Sequence, residues 1–458
     1  MARKARSFSF DAVSSGTPSV PAGVSLLTAT AVVVSNMIGT GIFTSLHFQV
    51  EPLPSGFVIL VLWLVGGVCA LCGALAYGEL AAALPRSGGE YHFLSQIYHP
   101  AVGFLAGWLS ATVGFAAPIA VAAMAFGRYF ADVVPGTSPV ALSLVVVALT
   151  TVIHLRGVAL GAAFQNASTL LKLLLILIFI AAGAFAARAG GTSFAPPAET
   201  RNLITSPAFA VSLVFVMYAY SGWNAATYII GEVRNPARNV PRAIALGTGF
   251  VIVLYLALNA IFLRVAPMAE IAEKEKIEVG YVAARHIFGD AGGRIMAGLI
   301  CLGLIASISA MTWIGPRVAM VMGEDYRLLA PLAYKSAHGV PAVGMLFQFI
   351  IVAALLVTAA FDAIVNYIQF SLTLCSMIAV VGVFVLRWRQ PNLPRPYRTW
   401  GYPVTPAIFL AISAWMLVFI CRQHPVESGA GLGTLLLGLV IYAASPKRGP
   451  ELSEQKPL

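Results

Sequence analysis

Charge is what this sequence has least of. Only 10% of its 458 residues are Asp, Glu, Lys or Arg, while 59% are hydrophobic. An ordinary soluble domain carries roughly 25% charged residues. So few ionisable groups cannot cover a water-facing surface, and the chain reads as an all-α polytopic membrane protein. Other absences narrow its chemistry. It has no His-Glu-x-x-His pair and no histidine set beside a carboxylate in an apolar run, so the groups of a membrane-embedded enzyme are missing. A phosphate-binding glycine loop with its lysine is absent too, which argues against ATP-driven transport. Nor is there a repeated filter loop or charged ring of the kind that builds a channel. The seven histidines are scattered, no pair has metal-ligand spacing, and no metal or other cofactor is expected. His154 reads as an interfacial residue.

Cysteine is scarce as well. Cys69, Cys72, Cys301, Cys375 and Cys421 all fall within or at the end of apolar segments. Cys69-x-x-Cys72 has the spacing of a redox or zinc half-site but no further soft ligand nearby. The five therefore read as buried small hydrophobes, and no disulfide-linked subunit is expected. The basic first six residues lead into a polar stretch up to Ala22, so no cleavable signal peptide is expected.

What the sequence does have is long apolar runs. Runs of about 20 residues, enough to cross a bilayer, fall near residues 24–46, 55–84, 103–130, 140–155, 164–187, 207–231, 243–265, 293–315, 341–360, 364–387, 403–422 and 429–444. Twelve transmembrane helices follow. The net charge of +10 is spread over their flanks rather than gathered in one stripe, so the partner it implies is a lipid bilayer and not nucleic acid. With the N-terminus inside, Lys and Arg divide as about 18 cytoplasmic against about 9 external, with Lys172 in mid-membrane. Arg3, Lys4, Arg6, then Arg234, Arg238, Arg242, then Arg387, Arg389, Arg395 and Arg398 belong to the inside set. Both termini are expected in the cytoplasm of a cell, either across a plasma membrane or a bacterial inner membrane.

Two of these runs are interrupted. Val33-Val34-Ser35-Asn36-Met37-Ile38-Gly39-Thr40-Gly41-Ile42-Phe43 puts two glycines and a β-branched residue at the centre of the first run. Backbone groups freed there find no water in hydrocarbon and must face protein, a cavity or a ligand. Phe215-Val216-Met217-Tyr218-Ala219-Tyr220-Ser221-Gly222-Trp223-Asn224 repeats the feature in the sixth. An offset of five makes the two runs antiparallel, as in inverted repeats of five helices each, with a transporter site where the broken helices meet. A half-helix starting at the midplane offers N–H groups to a carboxylate, and unwound carbonyls suit an ammonium. Such a pair is complementary to a small zwitterion.

Four motifs then resemble a known family. They are Gly39-Thr40-Gly41-Ile42-Phe43; Tyr77-Gly78-Glu79-Leu80 with Leu84-Pro85-Arg86-Ser87-Gly88-Gly89-Glu90-Tyr91; Tyr218-Ala219-Tyr220-Ser221-Gly222-Trp223-Asn224 with Glu232-Val233-Arg234-Asn235-Pro236 and Val240-Pro241-Arg242-Ala243-Ile244; and Leu386-Arg387 with Pro391, Arg395-Pro396-Tyr397-Arg398 and Gly401-Tyr402-Pro403. In order and spacing they look like the amino acid–polyamine–organocation (APC) superfamily, and within it amino acid permeases similar to L-type amino acid transporters. The resemblance implies a LeuT-like 5+5 inverted repeat, residues 23–187 and 207–387, with two added helices over 403–444. Tails of 1–22 and 445–458 flank them. Helices 1, 2, 6 and 7 would move as a bundle against a scaffold of 3, 4, 8 and 9. The substrate carboxylate would lie near Gly39, Thr40, Gly41 and Ile42. Its amino group would meet carbonyls of Tyr218, Ala219 and Ser221, beside Gly222, with Asn224 as a polar lining residue. Tyr218 and Trp223 stand as candidate gates, Tyr218 replacing a phenylalanine common among relatives, and Glu79 and Arg86, or Glu90, as a cytoplasmic gate.

Lys172 is a lysine amid aliphatics in mid-run, about 12 Å in from Phe164. Intramembrane charges are functional until shown otherwise; the plain alternative is a side chain that snorkels to the surface. The resemblance makes it a coupling residue, an ammonium standing where sodium-coupled relatives hold a cation, or else a group that releases a proton. Ser307, Ser309 and Thr312 could reach the pocket or bond back to their own helix. The mixed-charge residues 270–278 suit a short solvated helix. Helices three, eight and ten carry no mid-span Asp or Glu, and Arg317 lies near the end of helix eight. Neutral amino acids are therefore the expected cargo, and the resemblance implies that their secondary transport is sodium-independent, by proton symport or by exchange. A cationic amino acid or polyamine is the alternative cargo.

Overall fold

A computed structural model of the chain describes residues 23–134, 136–186, 192–273, 279–358 and 361–446. The tail residues 1–22, with Arg3, Lys4 and Arg6, and those from 447 onward lie outside the described residues, as do 274–278 of the mixed-charge stretch. Among the described residues nine helices are long and apolar enough to cross a membrane, and three shorter apolar ones, Pro139–Leu155, Pro207–Ala219 and Ala342–Thr358, join them. Numbered in the order of the sequence runs above, these twelve apolar helices are labelled spans one to twelve. One isolated bridge, in which Val24 N–H donates to Glu232 O at 2.7 Å and Arg234 N–H to Val24 O at 3.0 Å, ties the start of span one to the exit of span six.

The apolar pattern works in two directions. Leu170, Leu174, Leu177 and Ile178 on span five and Leu436 and Val440 on span twelve are exposed, as lipid-facing side chains are. Small residues turn inward so that helices approach closely. A Cβ on Gly66 would stand 2.5 Å from a Val216 methyl. Span two (Gly56–Ala83) packs against span seven (Pro236–Val265) and span six, and span one against seven. Spans three, four, eight and nine pack on one another, span five lies against eight, and span ten against two, three, eleven and twelve.

Several boundaries differ from those expected. Span five begins at Val158 rather than 164, because Gly157 at φ 141° turns the chain directly out of span four. Span eight runs from Val279 to Asp325 with a kink at Gly289, φ 73°. Its ends carry Arg285, His286 and Asp290 on one side and Arg317, Glu324 and Asp325 on the other, too polar to be read as membrane helix. Span three is not one helix: Pro100–Leu109 passes into a π-helical stretch, Ser110–Gly114, before Ala116–Val133. Cys421 is exposed rather than buried, since span eleven turns that face outward. His154 is buried, not interfacial; its Nε2 lies 2.8 Å from Ser309 Oγ and its ring stacks on Trp313.

At the end of the bundle where spans two, six, eight and ten finish, carboxylates and guanidiniums join helices that are distant in sequence. Glu79 is buried and accepts from Arg387 Nε at 2.8 Å, Arg387 Nη2 at 2.7 Å and the Thr399 amide at 2.6 Å, with Arg395 Nε 3.4 Å away. Arg86 Nη2 donates to Asp325 at 2.9 Å, and Arg317 pairs with Glu232. Glu79 and Arg86 thus belong to separate clusters and do not pair with each other. Removing one partner of a buried pair typically costs about 3 kcal/mol or more. Glu79→Ala is expected to lower the melting temperature of the detergent-purified protein accordingly, and an unchanged melt would mean that the cluster contributes nothing to stability.

Candidate substrate site

Span one starts at Leu26, where Ser25 accepts from Thr28 N–H at 3.2 Å, and ends at Met37. Ile38 leaves the helix with ψ 86°, Gly39 N–H turns back to Met37 O at 2.9 Å, and the helix restarts as Gly41–Thr44. Ser45 and Leu46 keep helical dihedrals and carry it into His47–Val50. The break is therefore residues 38–40, and the two glycines differ in use. Gly39 has nothing within 4 Å of where a Cβ would stand; at Gly41 a Cβ would meet Ala219 Cα at 2.6 Å and Ala219 Cβ at 2.7 Å.

Span six runs Pro207–Ala219, loses helical form over 220–224 and resumes as a tighter 3₁₀ helix, Ala225–Glu232. Gly222 allows the turn: its φ is 91°, and a Cβ there would stand 2.3 Å from Asn36 Nδ2. The two breaks are fastened together. Thr40 Oγ1 and the Tyr218 hydroxyl are 3.0 Å apart, and Asn36 Nδ2 donates to Gly222 O at 3.2 Å. From span seven the Tyr255 hydroxyl lies 2.8 Å from Met37 O and 3.0 Å from Ala219 O, donating to one at a time.

A cavity of about 1010 Å³, counting its open mouth, lies between them. Gly39, Thr40 and Gly41 line it from span one, and Tyr218, Ala219, Ser221, Gly222, Trp223 and Asn224 from span six. Ile42 is buried but does not line it, because Gly41 turns it to the far side of the half-helix. Of the proposed ammonium acceptors, the Tyr218 carbonyl already takes the Ser221 amide at 3.0 Å and hydroxyl at 2.7 Å. The Ser221 carbonyl accepts no hydrogen bond among the described residues. Trp223 stands edge-on to Tyr77, ring centroids 4.7 Å apart. The lining also includes residues not singled out from the sequence: Ser110 and Gly114 of the π-helical stretch, Phe115, and Gln369, Thr373 and Ser376 of span ten. A π-turn leaves no period in the sequence, though such turns recur at functional sites.

No ionised side chain lines the cavity. Glu90 is buried behind the lining residues Asn224 and Tyr228, where it accepts from Tyr77 at 2.8 Å, from Asn224 Nδ2 at 2.7 Å and from Tyr228. Its carboxylate is therefore bound to span six and span two rather than to Arg86. Lys172 lies outside the cavity and does not snorkel. It is 2% exposed, and its Nζ donates to Ser35 O at 3.2 Å, Ile38 O at 2.5 Å and Ser307 Oγ at 2.7 Å. Ser307 also donates to Ile38 O, at 2.6 Å. Ser309 turns to His154, Thr312 is buried with no hydrogen-bond partner among the described residues, and neither lines the cavity.

Apolar helices around an uncharged polar cavity, two of them broken where they meet it, make a multi-pass membrane transport protein. Comparison with known proteins gives its family. A model described as amino acid permease matches residues 24–442, and the chain belongs to that family, within the APC superfamily of transporters rather than among enzymes. The human large neutral amino acids transporter small subunit 2 is 29% identical over 435 residues, which cover 92% of this chain and 79% of that protein. Mouse b(0,+)-type amino acid transporter 1 is 27% identical, covering 93% and 88%. Mouse Asc-type amino acid transporter 1 is 26% identical, covering 92% and 80%.

Proposed function

We propose that this chain carries neutral amino acids across a cell membrane by alternating access, without sodium, either as an exchanger or with protons. The observation that carries this is the cavity itself: two broken helices face it, and no charged side chain lines it. The half-helix beginning at Gly41 directs free N–H groups toward a carboxylate, and the Ser221 carbonyl is free for the amino group. Nothing in the lining balances a charged side chain. A cationic amino acid or polyamine would have to draw Glu90 away from Tyr77, Asn224 and Tyr228, breaking three bonds to make one. The names of the large neutral relatives support the same preference.

The reading extends to the whole molecule. Twelve spans form a 5+5 inverted repeat plus two, both termini are cytoplasmic, and the clusters of Glu79, Arg86 and Arg317 close the cytoplasmic end. Lys172 takes the place of a bound cation at the break of span one. The test is uptake of a panel of labelled amino acids by proteoliposomes, with and without sodium, a pH gradient and internal amino acid. Sodium-independent uptake of neutral species is expected; a sodium requirement, or uptake confined to cationic species, would overturn the proposal.

A further inference from the structure

Span ten presents Gln369, Leu372, Thr373 and Ser376 to the cavity, a spacing that puts all four on one helical face. Leu372 packs against the π-helical turn of span three, 3.4 Å from where a Cβ on Gly114 would stand. Ser376 lies beside Tyr77, whereas the Gln369 carboxamide oxygen is buried with no hydrogen-bond partner among the described residues, and Thr373, 7% exposed, makes no side-chain hydrogen bond among them either. Each has a reason to find one. A buried polar group left unpaired costs free energy, and a Thr on a helix commonly returns its hydroxyl to the carbonyl four residues back, which here would be that of Gln369. One unpaired hydroxyl is ordinary; a carboxamide and a hydroxyl one turn apart, both idle and both facing the same cavity, are the two halves of a recognition element.

The geometry points to Gln369 and Thr373 as the side-chain subsite of the carrier, selecting amino acids whose neutral side chains both donate and accept hydrogen bonds, carboxamides first and hydroxyls second. Gln369 offers one donor group and one acceptor, and Thr373 either. A substrate carboxamide satisfies both at once. An aliphatic side chain of the same size leaves both unpaired, and a site built to hydrogen-bond its substrate discriminates strongly against an analogue that cannot. The lack of charge in the lining keeps aspartate, glutamate, lysine and arginine out by the same logic.

This inference rests on the neutral amino acid reading above and has its own test. Proteoliposomes holding the full chain are given labelled glutamine, asparagine, serine, threonine, leucine and valine, and kcat/KM is measured for each. Glutamine and asparagine are expected to lead leucine and valine by about tenfold or more. Gln369→Leu is expected to move the glutamine-to-leucine ratio about tenfold toward leucine, and Thr373→Val is read in its place if that variant purifies inactive. Wild-type leucine transport equal to or above that of glutamine, or a ratio that neither variant moves, overturns the inference while leaving a neutral amino acid carrier intact. Absence of uptake for every amino acid would instead retire the transport reading.

Discussion

Gly41→Val is expected to abolish amino acid uptake in proteoliposomes while the protein still inserts and purifies. Any β-carbon at this position would stand 2.6 Å from Ala219 Cα and 2.7 Å from Ala219 Cβ. One of those atoms is backbone, so no rotamer change relieves the contact, and the break in span six must move. Overpacking of this kind typically costs about 1–3 kcal/mol, which a large apolar bundle survives. Function does not survive so easily. The segment displaced carries Tyr218, 3.0 Å from Thr40, and Ala219 O, 3.0 Å from the Tyr255 hydroxyl. A shift of about 1 Å in such a positioned site is enough for a hundredfold loss. Gly39 supplies the comparison, because the space around its would-be Cβ is open. Gly39→Val should lose markedly less activity than Gly41→Val. Equal losses would mean that helix weakness, rather than close approach to span six, is what these glycines provide, and wild-type uptake by Gly41→Val would remove the proposed site.

That contrast also marks how far the sequence could be read. The apolar runs, the paired interruptions and the motifs around them place the broken helices and most of the span-one and span-six lining, because each depends on local residue type. The glycine pair at 39 and 41 looks symmetrical in sequence and is not in space, since what separates the two is the position of Ala219, 178 residues away from Gly41. Glu90 illustrates a second limit. Its place in a glycine-rich loop at the membrane boundary suggests a gate residue, yet Tyr77, Tyr228 and Asn224 enclose it behind the cavity. Three partners from two spans cannot be read from the loop alone. Span ten is opaque for another reason: Gln369 and Thr373 lie in an unbroken helix with further polar residues, Asn366, Ser371 and Ser376, around them, and only the cavity shows which face meets the site. A histidine one residue from a helix end, as His154 is, looks interfacial until the helix packed against it, here span eight, is known.

Lys172→Ala is expected to reduce exchange and gradient-driven uptake together, by tenfold or more at every pH. An ammonium has three protons, and Lys172 spends them on Ser35 O, Ile38 O and Ser307 Oγ. Ser35 and Ile38 are where span one gives up its helix, so their carbonyls are ones the break has freed. With span five starting at Val158, the lysine lies about 21 Å along it, too far from that end for water to take its place. The surroundings strengthen the tie. Gln165 Nε2 donates to Ser35 Oγ at 2.8 Å and to Ala306 O at 3.3 Å, and Ser35 Oγ reaches Ala306 O at 3.2 Å. Spans one, five and eight therefore meet at one polar knot beside the half-helix proposed to hold the substrate carboxylate. Deleting the ammonium leaves buried carbonyls without a donor, at about 1–3 kcal/mol each, and frees the break from its support. Lys172→Met, which keeps most of the volume and none of the charge, should behave like Lys172→Ala. If the lysine acted by releasing a proton instead, exchange between equal pH would persist in both variants and only the response to a pH gradient would vanish. A brace predicts loss in both assays because the same break must close around the substrate in either mode, whichever ion, or none, moves with it.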